Sequence, residues 1–364
     1  MRIKHLALKN FRNYDLAHFT FSDSTNVLIG KNAQGKTNLI EAIYLLSIAK
    51  SFRTRSNDEM IKFDKEFARI LGQVETKSVL RDLEMILFSQ GKQAKINNTK
   101  CNKTSEFVGH FNVVVFTPDD LFFVKGSPKN RRRFMDIELS KLSTVYLSYL
   151  NTYQHYLKER NQYLKKANFT QKKDDTYLSI ITEQMIEALV EIATRRNAFI
   201  KQINIYANDI YKKIAGSDEQ ISIKYDTFFD IEHYSKNDLL EFYKKNEDRD
   251  YKLSITNHGI HKDDLIILLN EKEASQFASQ GQQRSIVLAI KVALLKYIYK
   301  EIGEYPVLLL DDVLSELDVN RQNLLLDLVS DDIQTFITTT SIDGIKHEVI
   351  KKAKKIEISN ERSH

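Results

Sequence analysis

Short apolar runs separated by polar turns fill the first third of the chain. They predict strands at Ile3-Lys4-His5-Leu6-Ala7-Leu8 and at residues 25–29, 68–74, 83–88 and 113–116. The pattern then changes, because no glycine or proline occurs between Pro128 and Gly216, and that stretch reads as mostly helical. Ser127-Pro128 supplies an N-cap and a first helical residue, after which Leu139, Leu142, Tyr146, Tyr149, Tyr153 and Tyr156 recur at helical spacing. A second stripe follows in Leu178, Ile181, Met185, Leu189, Ile192, Phe199, Ile203, Tyr206 and Ile210, with a polar turn at 168–175 between the two. Two such helices near forty residues pack as an antiparallel arm, about 60 Å tall if straight and shorter if kinked. A strand at 220–225 closes the helical region, and the α/β texture resumes at Leu265-Ile266-Ile267-Leu268-Leu269. The expected organisation is one α/β lobe in two pieces, residues 1–118 and 251–364, interrupted by a helical lobe at 119–250.

Composition narrows the setting. Of 364 residues, 42% are hydrophobic and 28% charged, ordinary values for a globular chain able to bury a sizeable core. The start Met1-Arg2-Ile3-Lys4-His5 is not an apolar signal, and the longest apolar stretch, 286–299, is interrupted by Lys291 and Lys296. A cytoplasmic protein without a membrane partner is expected. The single cysteine, Cys101, excludes an internal disulfide and a cysteine-based zinc cluster. A net charge of +5 is compatible with a polyanionic partner but does not establish one.

The chemistry is carried by Gly30-Lys31-Asn32-Ala33-Gln34-Gly35-Lys36-Thr37, which fits G-x-x-x-x-G-K-[ST], preceded by a strand and followed by a helix. Such a loop turns backbone N–H groups and a helix N-terminus toward a di- or triphosphate, with Lys36 directed at the β/γ-phosphates and Thr37 at Mg²⁺. The apolar run Val307-Leu308-Leu309-Leu310 ends in Asp311-Asp312, the second acidic element that a P-loop needs. Asp311 is placed to hold Mg²⁺ with Thr37, and Asp312 to orient or deprotonate the attacking water. ATP and Mg²⁺ are therefore the expected ligands, and Lys36, Asp311 and Asp312 the expected catalytic set. Taken alone, paired carboxylates after an apolar run read more readily as a helix cap or a solvated loop; the P-loop reverses that weighting.

Upstream, Ser279-Gln280-Gly281-Gln282-Gln283-Arg284 opens a helix at 285–299, and Ser315-Glu316-Leu317-Asp318 follows the acidic strand. These segments resemble the signature motif and D-loop of ABC-type ATPases. In that class the signature of one subunit closes on nucleotide held by another, which implies nucleotide contacts by Ser279, Gly281 and Gln282, a catalytic share for Ser279, and an ATP-dependent homodimer.

The resemblance extends further. Leu8-Lys9-Asn10-Phe11-Arg12-Asn13-Tyr14, the P-loop, Lys50-Ser51-Phe52-Arg53-Thr54, Thr117-Pro118-Asp119-Asp120-Leu121, Gly126-Ser127-Pro128 with Arg131-Arg132-Arg133-Phe134-Met135-Asp136, the signature, and the segment from Leu310 to Asp318 together resemble the bacterial RecF family from Arg2 to about Ser341. That resemblance implies an α/β fold: a P-loop ABC-type ATPase head, as in SMC proteins, with an inserted mostly helical lobe forming a short antiparallel arm. It also implies ATP-dependent DNA binding in recombinational repair, weak DNA-dependent ATPase activity, and RecO and RecR as partners in loading recombinase at gapped or single-stranded DNA. Two places depart from the pattern. Gly259-Ile260-His261-Lys262-Asp263-Asp264 lacks the usual proline and arginine, and Thr338-Thr339-Thr340-Ser341 stands where many ABC ATPases place a histidine.

DNA phosphates require Lys and Arg. The candidates are Lys50, Arg53 and Arg55 after the P-loop helix, and Lys129, Arg131, Arg132 and Arg133 at the start of the helical lobe. Two arm groups, Lys158-Arg160-Lys165-Lys166 and Arg195-Arg196-Lys201, read equally well as solvated helix faces. Double-stranded, single-stranded and gapped DNA all remain open as ligands. The alternatives are a transporter ATPase subunit, which ordinarily has a shorter helical segment before its signature, and an ATP-dependent nuclease, which needs an acidic metal domain that this sequence lacks.

Overall fold

A computed structural model describes residues 1–77, 79–216, 218–328, 332–342 and 347–359. The chain divides into two compact units, one of Met1–Leu121, Ile210–Ser217 and Arg284–His364, the other of Phe122–Asp209 and Asp218–Gln283. The last piece of the first unit thus begins at Arg284 and not at 251. The reason lies in strand Asp264–Leu269, which pairs antiparallel with Ile221–Asp226 and Lys272–Glu273 in a sheet of the second unit.

In the first unit a five-stranded sheet has the order Lys354–Glu357, Thr25–Ile29, Thr335–Thr339, Val307–Leu310, Val113–Phe116, and every pairing in it is parallel. Strands Thr25–Ile29, Val113–Phe116 and Val307–Leu310 are largely buried and read as apolar runs, which is why they stand out in the sequence, whereas the edge strand Lys354–Glu357 is mostly exposed. The P-loop helix Lys36–Ile48 is buried almost all round. A second, antiparallel sheet has the order Tyr14–Thr20, Arg2–Phe11, Phe67–Thr76, Val79–Phe88, Gly91–Ile96, Thr99–Lys100. In Phe67–Thr76 the residues Ala68, Ile70, Gly72, Val74 and Thr76 alternate inward. A Cβ at Gly72 would run into the Leu46 side chain, so glycine lets the P-loop helix lie close against this sheet.

The second unit contains helices Pro128–Leu142 and Thr144–Thr170, and Asp175–Ala215 as far as Asp209. The first helical stripe is therefore carried by two helices. Ser143 turns extended, with φ of −141°, and its side chain caps the next helix by accepting from Tyr146 N, so the arm helices hold 27 and 41 residues. At 1.5 Å per residue these are about 40 and 60 Å long. Leu178, Ile181, Met185, Leu189, Ile192, Phe199 and Ile203 are buried together with Leu139, Tyr146 and Tyr153, while Tyr149 and Tyr156 are half-buried. Near the Thr144–Thr170 C-terminus, Leu164, Ala167, Leu178 and Tyr251 form a separate apolar cluster. Among the described residues no helix is long and apolar enough to cross a membrane.

Candidate functional site

Strand Thr25–Ile29, inside the parallel sheet, delivers the chain to Gly30, whose N–H donates to Thr339 O at 3.3 Å. A Cβ at Gly30 would collide with the Ile358 carbonyl. Gly35 has φ of 108°, and a Cβ there would stand 2.8 Å from Asn13 Nδ2 and 2.9 Å from the Tyr14 hydroxyl. Both glycines are thus required by close backbone approach, the second also by its left-handed conformation. The loop is fixed from outside: Tyr14 OH donates to Gly35 O at 3.1 Å and Asn13 Nδ2 to Gln34 O at 3.1 Å. Gln34 Oε1 accepts from Lys31 N at 2.6 Å, and Ala33 is left-handed with φ of 65°. Lys36 is nearly buried and its ammonium bridges Gly30 O (2.5 Å) and Lys31 O (3.0 Å). Burial lowers its pKa, against the opposing pull of Asp312 and Asp311.

Three chain segments meet at Asp311, which is 5% exposed. Its Oδ1 accepts from Thr37 Oγ1 at 3.0 Å and from Thr338 Oγ1 at 2.9 Å, and its N–H donates to Phe116 O. Burial raises its carboxyl pKa; the Thr338 and Thr37 hydroxyls counter that rise and Asp312 adds to it. Asp312 is exposed, adopts φ of 55°, and donates its N–H to Thr338 Oγ1 at 2.8 Å. Thr338 thus touches both carboxylate residues, a function that the sequence did not reveal. Among the described residues no three His, Cys, Asp or Glu side chains cluster as a metal cage. One hydroxyl and one carboxylate oxygen 3.0 Å apart fit Mg²⁺, which takes few protein ligands and completes its shell with water and phosphate oxygens.

Behind the loop, Glu41 on the P-loop helix is fully buried and takes a forked pair of hydrogen bonds from Arg12 (Nε 2.8 Å, Nη2 2.7 Å). Ser51 Oγ donates to Glu41 Oε1 at 2.5 Å, and Arg53 Nη1 to Glu41 Oε2 at 3.4 Å and to Asn38 Oδ1 at 2.8 Å. A lone acid in an otherwise apolar helix was the available sequence signal for this network, since a buried charge requires partners.

Of the segment read as the signature, Ser279 to Gln283 lie in the second unit and Arg284 in the first. Ser279 precedes helix Gln280–Ile302 and forms a reciprocal cap with Gln282: Ser279 N donates to Gln282 Oε1 at 2.8 Å, and Gln282 N to Ser279 Oγ at 3.3 Å. Gln282 Nε2 also donates to Glu219 at 2.7 Å, so its side chain is occupied in holding the turn. The neighbouring Gln283 is buried and donates to Ala278 O at 2.9 Å, while Ser279 itself is exposed.

The basic candidates divide. Lys50, Arg53, Arg55, Lys129 and Arg133 are exposed. Arg131 is different: its fork donates to Asp264 at 2.6 and 2.8 Å and it also donates to Gly126 O, so an arginine expected to meet DNA is consumed inside its own unit. Arg132 is partly buried and donates to Asp263 O at 2.6 Å. In the arm groups, Arg160 and Arg196 are each 1% exposed; Arg160 bonds Asp250, and Arg196 bonds Asp136, Tyr146 and Ile260 O. These arginines neutralise buried acids and offer nothing to a phosphate chain. Lys158, Lys165 and Lys166 remain exposed.

Residues 2–362 match the model of the RecF/RecN/SMC N-terminal domain. The chain is 45% identical to the DNA replication and repair protein RecF of Exiguobacterium sp. over 97% of its own length and 96% of that protein. It is 41% identical to the protein of the same name from Bacillus subtilis over 99% of both. Among solved structures it is similar to the recombination mediator protein RecF bound to ATP in the RecFOR pathway, with a TM-score of 0.91, 33% identity and coverage of 98% of this chain and 95% of that one. The Smc head domain from Pyrococcus furiosus shares the fold, with a TM-score of 0.54 and 17% identity. The chain belongs to the RecF family of DNA replication and repair proteins, ABC-type ATPases of the RecF/RecN/SMC group.

Proposed function

We propose that the protein binds ATP and Mg²⁺ at residues 30–37 with Asp311, closes as a head-to-tail homodimer through Ser279, and in that state engages DNA during recombinational repair. The observation that carries this reading is the junction of Thr37, Asp311 and Thr338, which joins the P-loop to the acidic strand with hard oxygen donors at one point. Mg²⁺ held there neutralises phosphate charge. Lys36 supplies a second positive charge, the 30–37 backbone orients the phosphates, and Asp312, exposed beside Asp311, accepts a proton from the attacking water. Thr338 fixes the Asp312 backbone, and hydrolysis reopens the dimer. Exposed Lys50, Arg53, Arg55, Lys129 and Arg133 are the candidate DNA contacts, through backbone and shape. RecO and RecR are the partners that family membership suggests, and membership of the RecF family sets the transporter reading aside.

DNA binding by the purified protein, with and without Mg²⁺–ATP, on single-stranded, double-stranded and gapped DNA tests the proposal. ATP should strengthen binding, DNA should stimulate hydrolysis, and the DNA should remain uncut. DNA affinity indifferent to ATP would contradict the reading, and cleavage would favour the nuclease alternative.

A further inference from the structure

A groove of about 460 Å³ runs beside helix Thr144–Thr170, lined by Gln154, Lys158, Asn161, Gln162 and Lys165 of that helix and by Ser254, and no carboxylate lines it. Lys158 and Lys165 are exposed and seven residues apart, about 10 Å along the axis. On a merely solvated helix face a lysine ordinarily finds an acid three or four residues away. Here those positions hold Gln154, His155, Asn161 and Gln162 around Lys158, and Asn161, Gln162, Asn168 and Phe169 around Lys165. The acids nearby are engaged elsewhere: Glu159 accepts from Tyr177 OH at 2.8 Å and lies 3.4 Å from His155 Nε2, and Asp250 accepts from the buried Arg160 at 2.7 Å. Between the two lysines the polar groups are oriented. Asn161 Oδ1 accepts from Thr256 N and Thr256 Oγ1, both at 2.7 Å, and Thr256 Oγ1 accepts from Arg160 Nη1 at 2.8 Å. The amide oxygen is thereby consumed and the two N–H donors are left for the groove. Ser254 Oγ accepts from Asn168 Nδ2 at 2.9 Å, which leaves its own O–H to donate.

We infer that this groove is a phosphate-backbone site for nucleic acid, in which Lys158 and Lys165 neutralise phosphates at its two ends and Asn161 donates between them. A surface that offers ammonium, N–H and O–H donors and no carboxylate is complementary to an oxyanion, and donors spread over about 10 Å suit a row of phosphates better than a single one. The inference rests on the DNA-binding reading and adds to it a surface on the arm, apart from Lys50, Arg53, Arg55, Lys129 and Arg133.

Titration of the full chain with duplex and single-stranded oligonucleotides across a salt series, with Mg²⁺–ATP present, tests it. The proteins compared are wild type, the double variant Lys158→Gln with Lys165→Gln, the charge-keeping double variant Lys158→Arg with Lys165→Arg, and Asn161→Asp, which still accepts from Thr256 but turns a carboxylate oxygen to the groove. The glutamine pair should weaken DNA binding about tenfold and flatten the salt dependence by about 0.9 per lost contact on a duplex and about 0.7 on a single strand. The arginine pair should stay near wild type, Asn161→Asp should also bind weakly, and ATP affinity and melting temperature should be unchanged in all three. If wild type binds DNA and the glutamine pair matches it in affinity and slope, the groove belongs to some other anion, such as an acidic protein surface, and the inference is wrong while the DNA reading stands. If wild type does not bind DNA, the DNA reading fails and the groove with it. A loss of affinity in the glutamine pair with an unchanged salt slope would make the lysines indirect and overturn the site as well.

Discussion

Thr37 and Asp311 stand 274 positions apart in the chain and are joined by a 3.0 Å hydrogen bond from hydroxyl to carboxylate. The contact forms because strands Thr25–Ile29 and Val307–Leu310 flank Thr335–Thr339 in the parallel sheet and release their following residues at the same edge. Thr338, on the strand between them, supplies a second hydroxyl to the same oxygen. Ligands of open α/β sheets bind in such a place, outside the carboxyl ends of the strands.

Lys36→Ala should abolish measurable ATP binding, since it removes the ammonium that spans the loop at Gly30 O and Lys31 O. Isothermal titration measures this directly. Wild-type affinity in the variant would remove residues 30–37 from the nucleotide site.

Asp312→Asn should keep ATP affinity and lower the hydrolysis rate by about 100-fold, because an amide cannot take the proton of the attacking water. Asparagine tolerates the left-handed backbone at φ of 55°, so the turn should survive the exchange. Unchanged turnover would move the base elsewhere.

Thr338→Val should slow hydrolysis more than it weakens ATP binding. The change leaves Asp312 N–H without its acceptor and removes one of the two hydroxyls that Asp311 Oδ1 receives, at a stability cost of about 1–3 kcal/mol. Steady-state kinetics with a parallel nucleotide titration separates the two effects. A loss of ATP affinity with full turnover would mean that Thr338 serves binding and not the carboxylate pair.

Much of this was legible in the sequence because the parallel strands Thr25–Ile29, Val113–Phe116 and Val307–Leu310 are largely buried and appear as apolar runs, and because the P-loop must carry glycine where Ile358 O and Tyr14 approach. Strands Tyr14–Thr20 and Gly91–Ile96 were not legible: their inward positions are few and their other residues polar, so alternation is faint. The break at Ser143 was hidden for a different reason, since serine both caps and continues helices and only packing selects between them. Strand Asp264–Leu269 looks like the start of the second α/β portion because sequence shows an apolar run and not its partner strand. Arg131, Arg160 and Arg196 were read as surface charge, since the acids that neutralise them lie 60 or more positions away.

His261 is a pH-sensitive group of the second unit. Burial lowers its pKa to about 4; its Nδ1 lies 2.6 Å from Tyr153 OH and its Nε2 3.0 Å from Thr256 O, which fixes the neutral Nε2–H form. A folded pKa depressed below the unfolded value contributes stability above pH 6.5 that is lost as pH falls from 6.5 to about 4. Asp263, raised to about 6 by burial, acts with the opposite sign: its contribution is present below its unfolded pKa of 3.8 and lost as pH rises through 6. The His261 share is therefore read as a difference, and the melting temperature of His261→Asn should fall less than that of wild type between pH 6.5 and 4. Equal slopes would mean that folding does not shift the His261 pKa.

The signature serine provides the sharpest test of how ATP acts. Ser279 is exposed at a helix start and forms a reciprocal cap with Gln282, and the proposed dimer requires it to approach nucleotide held by another copy. Arginine at this position adds bulk to that turn and leaves every residue of the 30–37 loop unchanged. Sedimentation of wild type and Ser279→Arg at saturating Mg²⁺–ATP, with ATP affinity measured on the same samples, should show wild type shifting from monomer to dimer and Ser279→Arg staying monomeric with its ATP affinity intact. A wild type that remains monomeric with ATP bound, or a Ser279→Arg variant that dimerises as readily, would contradict an ATP-closed dimer built through Ser279.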